Sequence, residues 1–240
     1  MSGGYAHIPR APSACCDGVH PGDLCPQGVQ KWLQHSKDFS ELFAMAEYGA
    51  DLRVLSYVPY SVRANRVPEE LRDTVQQKVD DEVQRGWLFP VNMEEIEQEN
   101  KWAVAPLQTV VEPTKVRVVT DYSDVVEGYR TGINAWVDME SLGTAYMHRC
   151  VDLAKAVENM SVEGVPPVML VRDLSKAFRR VGVRAEDVPM LHTMWNGVHY
   201  WDTRLPFGHA ASAHWVCKLT RAISEAVTKS LDGHAVCLCY

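Results

Sequence analysis

The sequence predicts an α+β protein, and two local patterns and the order of the segments support this prediction. Apolar residues recur every fourth position at 71, 75, 79 and 83, which is the stripe of an amphipathic helix. The β-rich runs 104–111 and 115–120 are separated only by Glu-Pro-Thr, which is typical of a tight hairpin. Helical and extended segments follow one another without an internal repeat, and this order favours α+β.

The N-terminal part is predicted to be the least regular. Residues 1–30 contain much of the Pro, Gly and Cys and show no periodicity, so we expect a disordered tail. Residues 31–48 carry aromatic and aliphatic side chains at helical spacing, which predicts a short helix. Residues 51–60 look extended. We therefore treat 31–66 as an N-terminal extension.

The clearest helix is predicted over residues 69–85. Pro68 stands at its start, and Glu69 and Glu70 lie in the first turn, where the helix dipole favours acids. Gly86 is a plausible residue to end the helix. Further along, the sequence predicts two more helices and two short strands, in chain order a helix near 149–160, a strand at 168–171, a helix over 210–230 and a strand at 234–240.

The net charge of −7 is concentrated in one window. Residues 69–100 hold ten acidic and three basic residues, so the other 208 residues sum to zero. We interpret the acids mainly as a solvated helix face, with a protein-interaction surface as the alternative. Global acidity therefore does not exclude a nucleic-acid partner.

Composition places the chain among ordinary globular proteins. It has 240 residues, of which 46% are apolar and 23% charged. No run of about 18 apolar residues is present, and the N-terminus lacks the pattern of a secretory signal. We expect an intracellular protein without a membrane partner, whose seven cysteines are thiols.

Cys15, His20 and Cys25 form a C-x₄-H-x₄-C pattern, which matches the last three ligands of a zinc knuckle. Structural zinc needs four ligands, and the fourth would have to be His7 or Cys16. We therefore expect a cysteine-bearing tail, with zinc binding as the alternative.

The segment most suggestive of chemistry is VMLVRDLSKAFRRVGV, residues 168–183. Its apolar strand delivers Asp173, and a carboxylate at a strand end suits Mg²⁺. Five bases against one acid in residues 170–184 suit phosphates. They are Arg172, Lys176, Arg179, Arg180 and Arg184. The alternative is an aspartate capping a helix beside a solvated basic face.

Five segments in order resemble the reverse transcriptases of retroviruses and of long-terminal-repeat or tyrosine-recombinase retrotransposons. They are VPEELRDTVQQKVDDEVQRGWLFPV, KWAVAPLQTVVEPTKVRVVTDYSDV, VRDLSKAF, YWDTRLPFGHAASAHWVCKLTRAI and HAVCLCY. Together they cover about residues 67–240. The resemblance implies fingers over about 67–148 and a partial palm over about 149–240.

The resemblance assigns the metal site to Asp173, which would bind two Mg²⁺ (or Mn²⁺) ions with help from the Leu174 carbonyl. It assigns nucleotide binding to Ala177 and Phe178, with Phe178 at the position of a steric gate, where a bulky ring excludes a 2′-hydroxyl. The alternative for Phe178 is an ordinary core aromatic.

The resemblance also assigns the triphosphate and nucleic-acid contacts. Arg117 would grip the triphosphate with help from Lys115, although Glu112 in that path would repel it. Phe207 and Gly208 would line the nucleotide pocket. Further nucleic-acid contacts are assigned to Arg179, Arg180 and Tyr240.

The implied function is RNA-directed DNA polymerisation, with a primed RNA or DNA template and deoxynucleoside triphosphates as partners. Tyr240 matches the tyrosine of Tyr-x-Asp-Asp, and the two aspartates that follow it in the family are not in this sequence. We expect two metal ions only in a longer chain, and this fragment alone not to polymerise. The alternative is a catalytically dead remnant that binds nucleic acid or acts as an interaction domain. The sequence leaves the oligomeric state open.

Overall fold

The computed structural model describes most of the chain and confirms a mixed helix and sheet architecture. The described residues are 22–55, 61–62, 64–92, 94, 103–123, 125–126, 129–130, 132–144, 148–162, 168–169, 171, 173–231 and 236–237. Cys15, His20, Arg172 and Tyr240 lie outside them. No helix in this part of the chain has the length and apolar character that a bilayer span requires.

Two helices open the described chain, α1 (Pro26–Leu33) and α2 (Phe39–Tyr48). The expectation of a loose tail as far as residue 30 is therefore wrong for residues 22–30. Pro26 stands at the first position of α1, where a missing N–H costs nothing, and the Cys25 sulfur caps the helix. The helix predicted over 31–48 is interrupted by a turn in which the Ser36 backbone N–H donates to the Leu33 carbonyl at 2.9 Å and the Ser36 hydroxyl accepts from the Asp38 N–H at 3.4 Å.

Helix α3 (Arg72–Gln84) confirms the amphipathic pattern, after a 3₁₀ turn at Glu69–Leu71. Val75 and Val79 are buried in a small core with residues of the sheet. Gly86 follows the helix with a φ of +67°, which is the conformation that its position was predicted to need.

A five-stranded sheet lies beside α3. Its strands are β1 (Ser61–Val62), β2 (Leu88–Val91), β3 (Ala103–Ala105), β8 (His192–Trp195) and β9 (Val198–Asp202). Their order across the sheet is β1-β3-β8-β9-β2. The β1–β3 and β3–β8 pairs are parallel, and the others are antiparallel. Strands β8 and β9 were not predicted. The Asn196-Gly197 turn that joins them, with both residues at positive φ, is the hairpin signal that could have revealed them.

The predicted hairpin is confirmed as β4 (Leu107–Glu112) paired with β5 (Lys115–Thr120). The predicted run 104–111 is not one strand, because Val104 and Ala105 belong to β3 and pair with β8 in the five-stranded sheet. A second antiparallel pair follows, formed by β6 (Val125–Val126) and β7 (Tyr129–Arg130). A 3₁₀ turn at Ile133–Trp136 then leads toward the helical part of the chain.

Further along, the described part of the chain contains the helices α4 (Met139–Leu142), α5 (Cys150–Val162) and α6 (Ala210–Ser230). Both α5 and α6 were predicted. Helix α6 buries one face in the main core, together with α1 and α2.

The strand predicted at 168–171 does not form in the described residues. Val168, Met169 and Val171 are exposed and lie outside any strand. A strand needs a hydrogen-bonded neighbour, and no described segment pairs with these three residues. The strand predicted at 234–240 lies mostly outside the described residues, and the Cys237 backbone N–H donates to Thr228 of α6 at 2.9 Å.

Candidate nucleotide and nucleic-acid site

Two aromatic rings from distant motifs meet at the candidate nucleotide site. Phe178 begins a 3₁₀ turn at Phe178–Arg180, and Phe207 lies in the loop before α6. Their ring centroids are 4.6 Å apart at an interplanar angle of 47°. Phe178 is half-buried and packs with Ala177 against the main core, whereas Phe207 is 45% exposed. The structure thus brings together residues that the sequence assigned to one nucleotide pocket.

Gly208 holds the loop directly against the end of β5. Its φ is +94°, a conformation that side chains disfavour. A Cβ at this position would stand 2.7 Å from the Thr120 carbonyl oxygen, which is closer than atoms can pack. Glycine is therefore required for this close backbone approach.

The sequence did not point to Asn134 or His209, which fix the same loop. The Asn134 side-chain amide donates to the Gly208 carbonyl at 2.7 Å and accepts from the Ala210 N–H at 2.8 Å. His209 caps α6 through its Nδ1, and its ring meets the buried Tyr122 ring edge-on at 5.6 Å. Burial lowers the pKa of His209 to about 4, so its imidazole is neutral at pH 7.

Arg179 does not lie on a nucleic-acid surface, which corrects the prediction for this residue. Its side chain is only 7% exposed and forms ion pairs with Asp202 at 2.5 Å and Glu82 at 2.6 Å. Burial raises the pKa of the Asp202 carboxyl above its ordinary value, and the Arg179 guanidinium opposes that shift. Arg179 therefore ties the turn that carries Phe178 to β9 and α3.

The other described bases of the predicted cluster also have individual partners. The Lys176 ammonium lies 4.9 Å from the centroid of Trp87, and Arg184 pairs with Asp51 at 2.9 Å. Arg180 keeps about half of its side chain exposed while pairing with Asp23 at 3.3 Å. The cluster is thus a set of separate contacts, of which Lys176 and Arg180 remain on the surface.

Asp23 brings the N-terminal segment to this region. Its carboxylate contacts Arg180 at 3.3 Å and the buried Arg204 at 3.2 Å. Its backbone N–H donates to the Arg180 carbonyl at 2.8 Å. The preceding Gly22 packs so closely against Gly182 that a Cβ would stand 2.4 Å from its nitrogen.

Asp173 is exposed and makes no hydrogen bond or ion pair with another described residue. The Leu174 carbonyl accepts from the Ala177 N–H at 3.2 Å, which leaves one lone pair for another partner. Within the described ranges, no group of three or more His, Cys, Asp or Glu side chains could hold a metal ion. Asp173 and the Leu174 carbonyl are thus not a sufficient donor set for two ions by themselves.

The predicted triphosphate residues lie together on the β4–β5 hairpin. Arg117 contacts the Glu112 carboxylate at 2.6 Å, and Lys115 contacts the same carboxylate at 3.7 Å. Glu112 thus lies where repulsion of a triphosphate was expected, and it partly neutralises both bases. Cys25, the described member of the predicted zinc pattern, is buried as a helix cap.

These elements form a reverse-transcriptase-like fold, since solved structures of that class superpose on most of the chain. The prototype foamy virus protease-reverse transcriptase superposes with a TM-score of 0.50 at 18% identity, covering 89% of this chain and 28% of that one. The foamy viral enzyme in complex with double-stranded DNA gives 0.50 at 18% identity, with 87% and 42% covered. Its complex with an RNA/DNA hybrid gives 0.51 at 18% identity, with 92% and 29% covered.

The chain therefore spans less than half of the length of these solved proteins. No protein-family model matches the sequence. No curated protein matches it either.

Proposed function

We propose that this chain is part of an RNA-directed DNA polymerase of a retroelement, which transfers nucleotides to a primer 3′-hydroxyl. The observation that carries the proposal is the Phe178–Phe207 contact at 4.6 Å. It joins two separate motifs, at residues 173–178 and 205–208, that the resemblance assigned to one nucleotide pocket. The likeness to foamy viral reverse transcriptases solved with double-stranded DNA and with an RNA/DNA hybrid supports the same class.

In this proposal, Phe178 selects the sugar of the incoming nucleotide. The Phe207 ring restrains the Phe178 ring from one side, and the core packs against it from below. A restrained ring cannot move away from a ribose 2′-hydroxyl, so ribonucleotides are rejected by steric clash. The exposed face of Phe207 is available to stack on a base or a sugar.

Lys176 and Arg180 would contact the template–primer backbone. Both lie on the surface, and Arg180 would exchange the Asp23 carboxylate for a phosphate. Each phosphate contact releases bound counterions, so raising the salt concentration opposes binding. For two contacts, the affinity should fall about tenfold between about 50 and about 200 mM salt.

Mg²⁺ or Mn²⁺ would supply the charge stabilisation of nucleotidyl transfer, with Asp173 and the Leu174 carbonyl among its ligands. These two donors are not sufficient to hold two ions, and the described residues offer no cluster of three or more His, Cys, Asp or Glu side chains that could complete the site.

Sugar selection is tested with Phe178→Val in a complex of the chain with an RNA template and a DNA primer. The variant should lose the preference for dATP over ATP, measured as nucleotide binding by this chain and, with Mg²⁺ or Mn²⁺, as primer extension by a longer protein that supplies the two further aspartates. The matched control is Phe43→Val, because Phe43 belongs to another tilted pair, with Phe39 at 5.8 Å. Equal loss in both variants, or none in Phe178→Val, would refute the role.

Nucleic-acid binding is tested by fluorescence anisotropy of a labelled primer–template at several salt concentrations. Arg180→Gln should lower the magnitude of the logarithmic salt slope by about one, and Lys229→Gln in the last turn of α6 should not. Absence of binding at low salt, or binding that does not depend on salt, would contradict the proposal.

A second candidate is a chain that binds nucleic acid without polymerising. The pairing of Glu112 with both Arg117 and Lys115 favours it, because it weakens the positive field at the hairpin. Asp173→Asn distinguishes the two. It should abolish primer extension by a longer protein that supplies the two further aspartates of the motif, whereas a protein that only binds nucleic acid would show salt-dependent binding and no extension before or after the change.

A further inference from the structure

We propose that Asn134 is a positioning residue that fixes the Phe207–Gly208 loop relative to Phe178 and thereby sets the width of the sugar-selecting site. The inference about selection rests on the proposed function, whereas the inference about position does not. It starts from an amide side chain with three hydrogen bonds, two of which reach residues 74 and 76 positions further along the chain.

The Asn134 side chain uses both ends of its amide. Its Nδ2 donates to the Ser123 hydroxyl at 2.8 Å and to the Gly208 carbonyl at 2.7 Å. Its Oδ1 accepts from the Ala210 N–H at 2.8 Å, one of the N–H groups that α6 cannot satisfy internally. The Asn134 backbone N–H donates to the Tyr122 carbonyl at 3.0 Å, so the amide itself is anchored.

These bonds bracket the residue that contacts Phe178. Gly208 and Ala210 are held through their backbones, and Phe207 immediately precedes them. On the opposite side, the Thr120 carbonyl lies too close to Gly208 for a side chain. The loop is therefore confined between the end of β5 and the Asn134 amide, and the Phe178–Phe207 spacing depends on both.

The arrangement is not explained by helix stability alone. His209 already caps α6 by accepting from the Ala211 N–H at 3.2 Å. A second cap would need only the Oδ1 bond to Ala210. The donation from Nδ2 to the Gly208 carbonyl does nothing for the helix and acts only on the loop.

The variant Asn134→Asp separates the two roles. Its carboxylate can still accept from Ala210, and a negative charge at the start of α6 is favourable. It can also accept from the Ser123 hydroxyl. It cannot donate to the Gly208 carbonyl, and it places an oxygen at 2.7 Å from that carbonyl oxygen, so the loop is expected to move away.

The chain offers a matched control in Asn65. This side chain accepts from the Leu107 N–H and donates to the Met194 carbonyl, each at 2.8 Å, and it contacts neither aromatic ring of the site. Asn65→Asp therefore makes the same chemical change to a backbone-bridging amide elsewhere in the fold.

The position is read by ¹⁹F NMR of the chain labelled with 4-fluorophenylalanine, which gives five resonances for its five phenylalanines. Phe178→Leu and Phe207→Leu assign two of them. Asn134→Asp should shift these two resonances, and Asn65→Asp should leave them in place. If Asn134→Asp does not fold, the same shifts are sought in Asn134→Ala. Unmoved resonances in a folded Asn134 variant would overturn the proposal.

Selection is read separately, with dATP and ATP as the probes on the primer–template complex. We expect Asn134→Asp to reduce the preference for dATP about tenfold, the value of one hydrogen bond, and Asn65→Asp to leave it unchanged. A normal preference despite shifted resonances would overturn the link to selection. If the unaltered chain shows no preference, the proposed function fails, and the NMR result still decides the position.

Discussion

Replacing Arg179 with methionine is expected to destabilise the protein strongly, because it leaves a buried carboxylate without its cation. The Asp202 side chain is 7% exposed and would keep its hydrogen bond from the Arg204 N–H at 2.9 Å and the electrostatic attraction of the Arg204 guanidinium, but no direct ion pair. Removing one partner of a buried ion pair costs about 3–5 kcal/mol. Glu82 is 35% exposed and can be hydrated, so it adds little to this cost.

The assay is urea unfolding followed by tryptophan fluorescence, with thermal unfolding as a second measurement. A loss of about 3–5 kcal/mol corresponds to a fall in Tm of about 10 °C for a chain of this size. The control is Arg66→Met, because the Arg66 pair with Asp121 spans 3.2 Å with 54% of the arginine side chain exposed. The free energy of unfolding of that variant should fall by less than about 1 kcal/mol.

A double variant tests whether the buried charge is the cause. In Arg179→Met with Asp202→Leu, both partners are apolar, and most of the lost stability should return. The buried charge is not the cause if Arg179→Met lowers the free energy of unfolding no more than Arg66→Met does. It is also not the cause if the double variant is as unstable as Arg179→Met alone.

Three further predictions concern protonation and close packing. Burial raises the pKa of Asp187 to about 6, so the folded state loses stability as pH rises from about 4 through 6. Above pH 6, the free energy of unfolding of Asp187→Asn should exceed that of the unaltered chain by about 2–3 kcal/mol. Equal pH profiles of the two proteins in urea unfolding would contradict this. Burial also lowers the pKa of His192 to about 3, so stability should fall as pH drops below about 6.5, where the unfolded histidine takes up a proton. His192→Gln should make the free energy of unfolding less dependent on pH in this range. An unchanged slope of that free energy against pH would contradict the prediction. Gly208→Ala should lower the free energy of unfolding by about 1–3 kcal/mol, because its Cβ would meet the Thr120 carbonyl. Gly197 is also at positive φ but has open space around it, so Gly197→Ala should lower that free energy less in the same assay.

Elements with a strong local pattern could be predicted from the sequence. The four-residue repeat specified α3, the β-rich runs specified the β4–β5 hairpin, and the apolar spacing over 210–230 specified α6. The proximity of Phe178 and Phe207 followed from the resemblance of their motifs, and the structure brings these rings together.

Roles that depend on distant partners could not be predicted in this way. Arg179 resembles a surface base in the sequence, and it is buried because Glu82, 97 residues earlier, and Asp202 neutralise it. Asn134 gains its role from Gly208, 74 residues further along. A local pattern carries no information about such contacts.

The N-terminal helices have a consequence for where this protein can be divided. The resemblance begins near residue 67, yet Val29, Leu33 and Leu42 lie in the same core as α6. Asp23 supplies a carboxylate to the buried Arg204. A chain shortened to residues 67–240 would therefore expose the apolar face of α6 and leave Arg204 without that carboxylate. The sequence motifs thus span less of the chain than the part that must fold together, and the superposed structures cover up to 92% of the chain. An exchange of this region between proteins would therefore have to carry the first two helices with it.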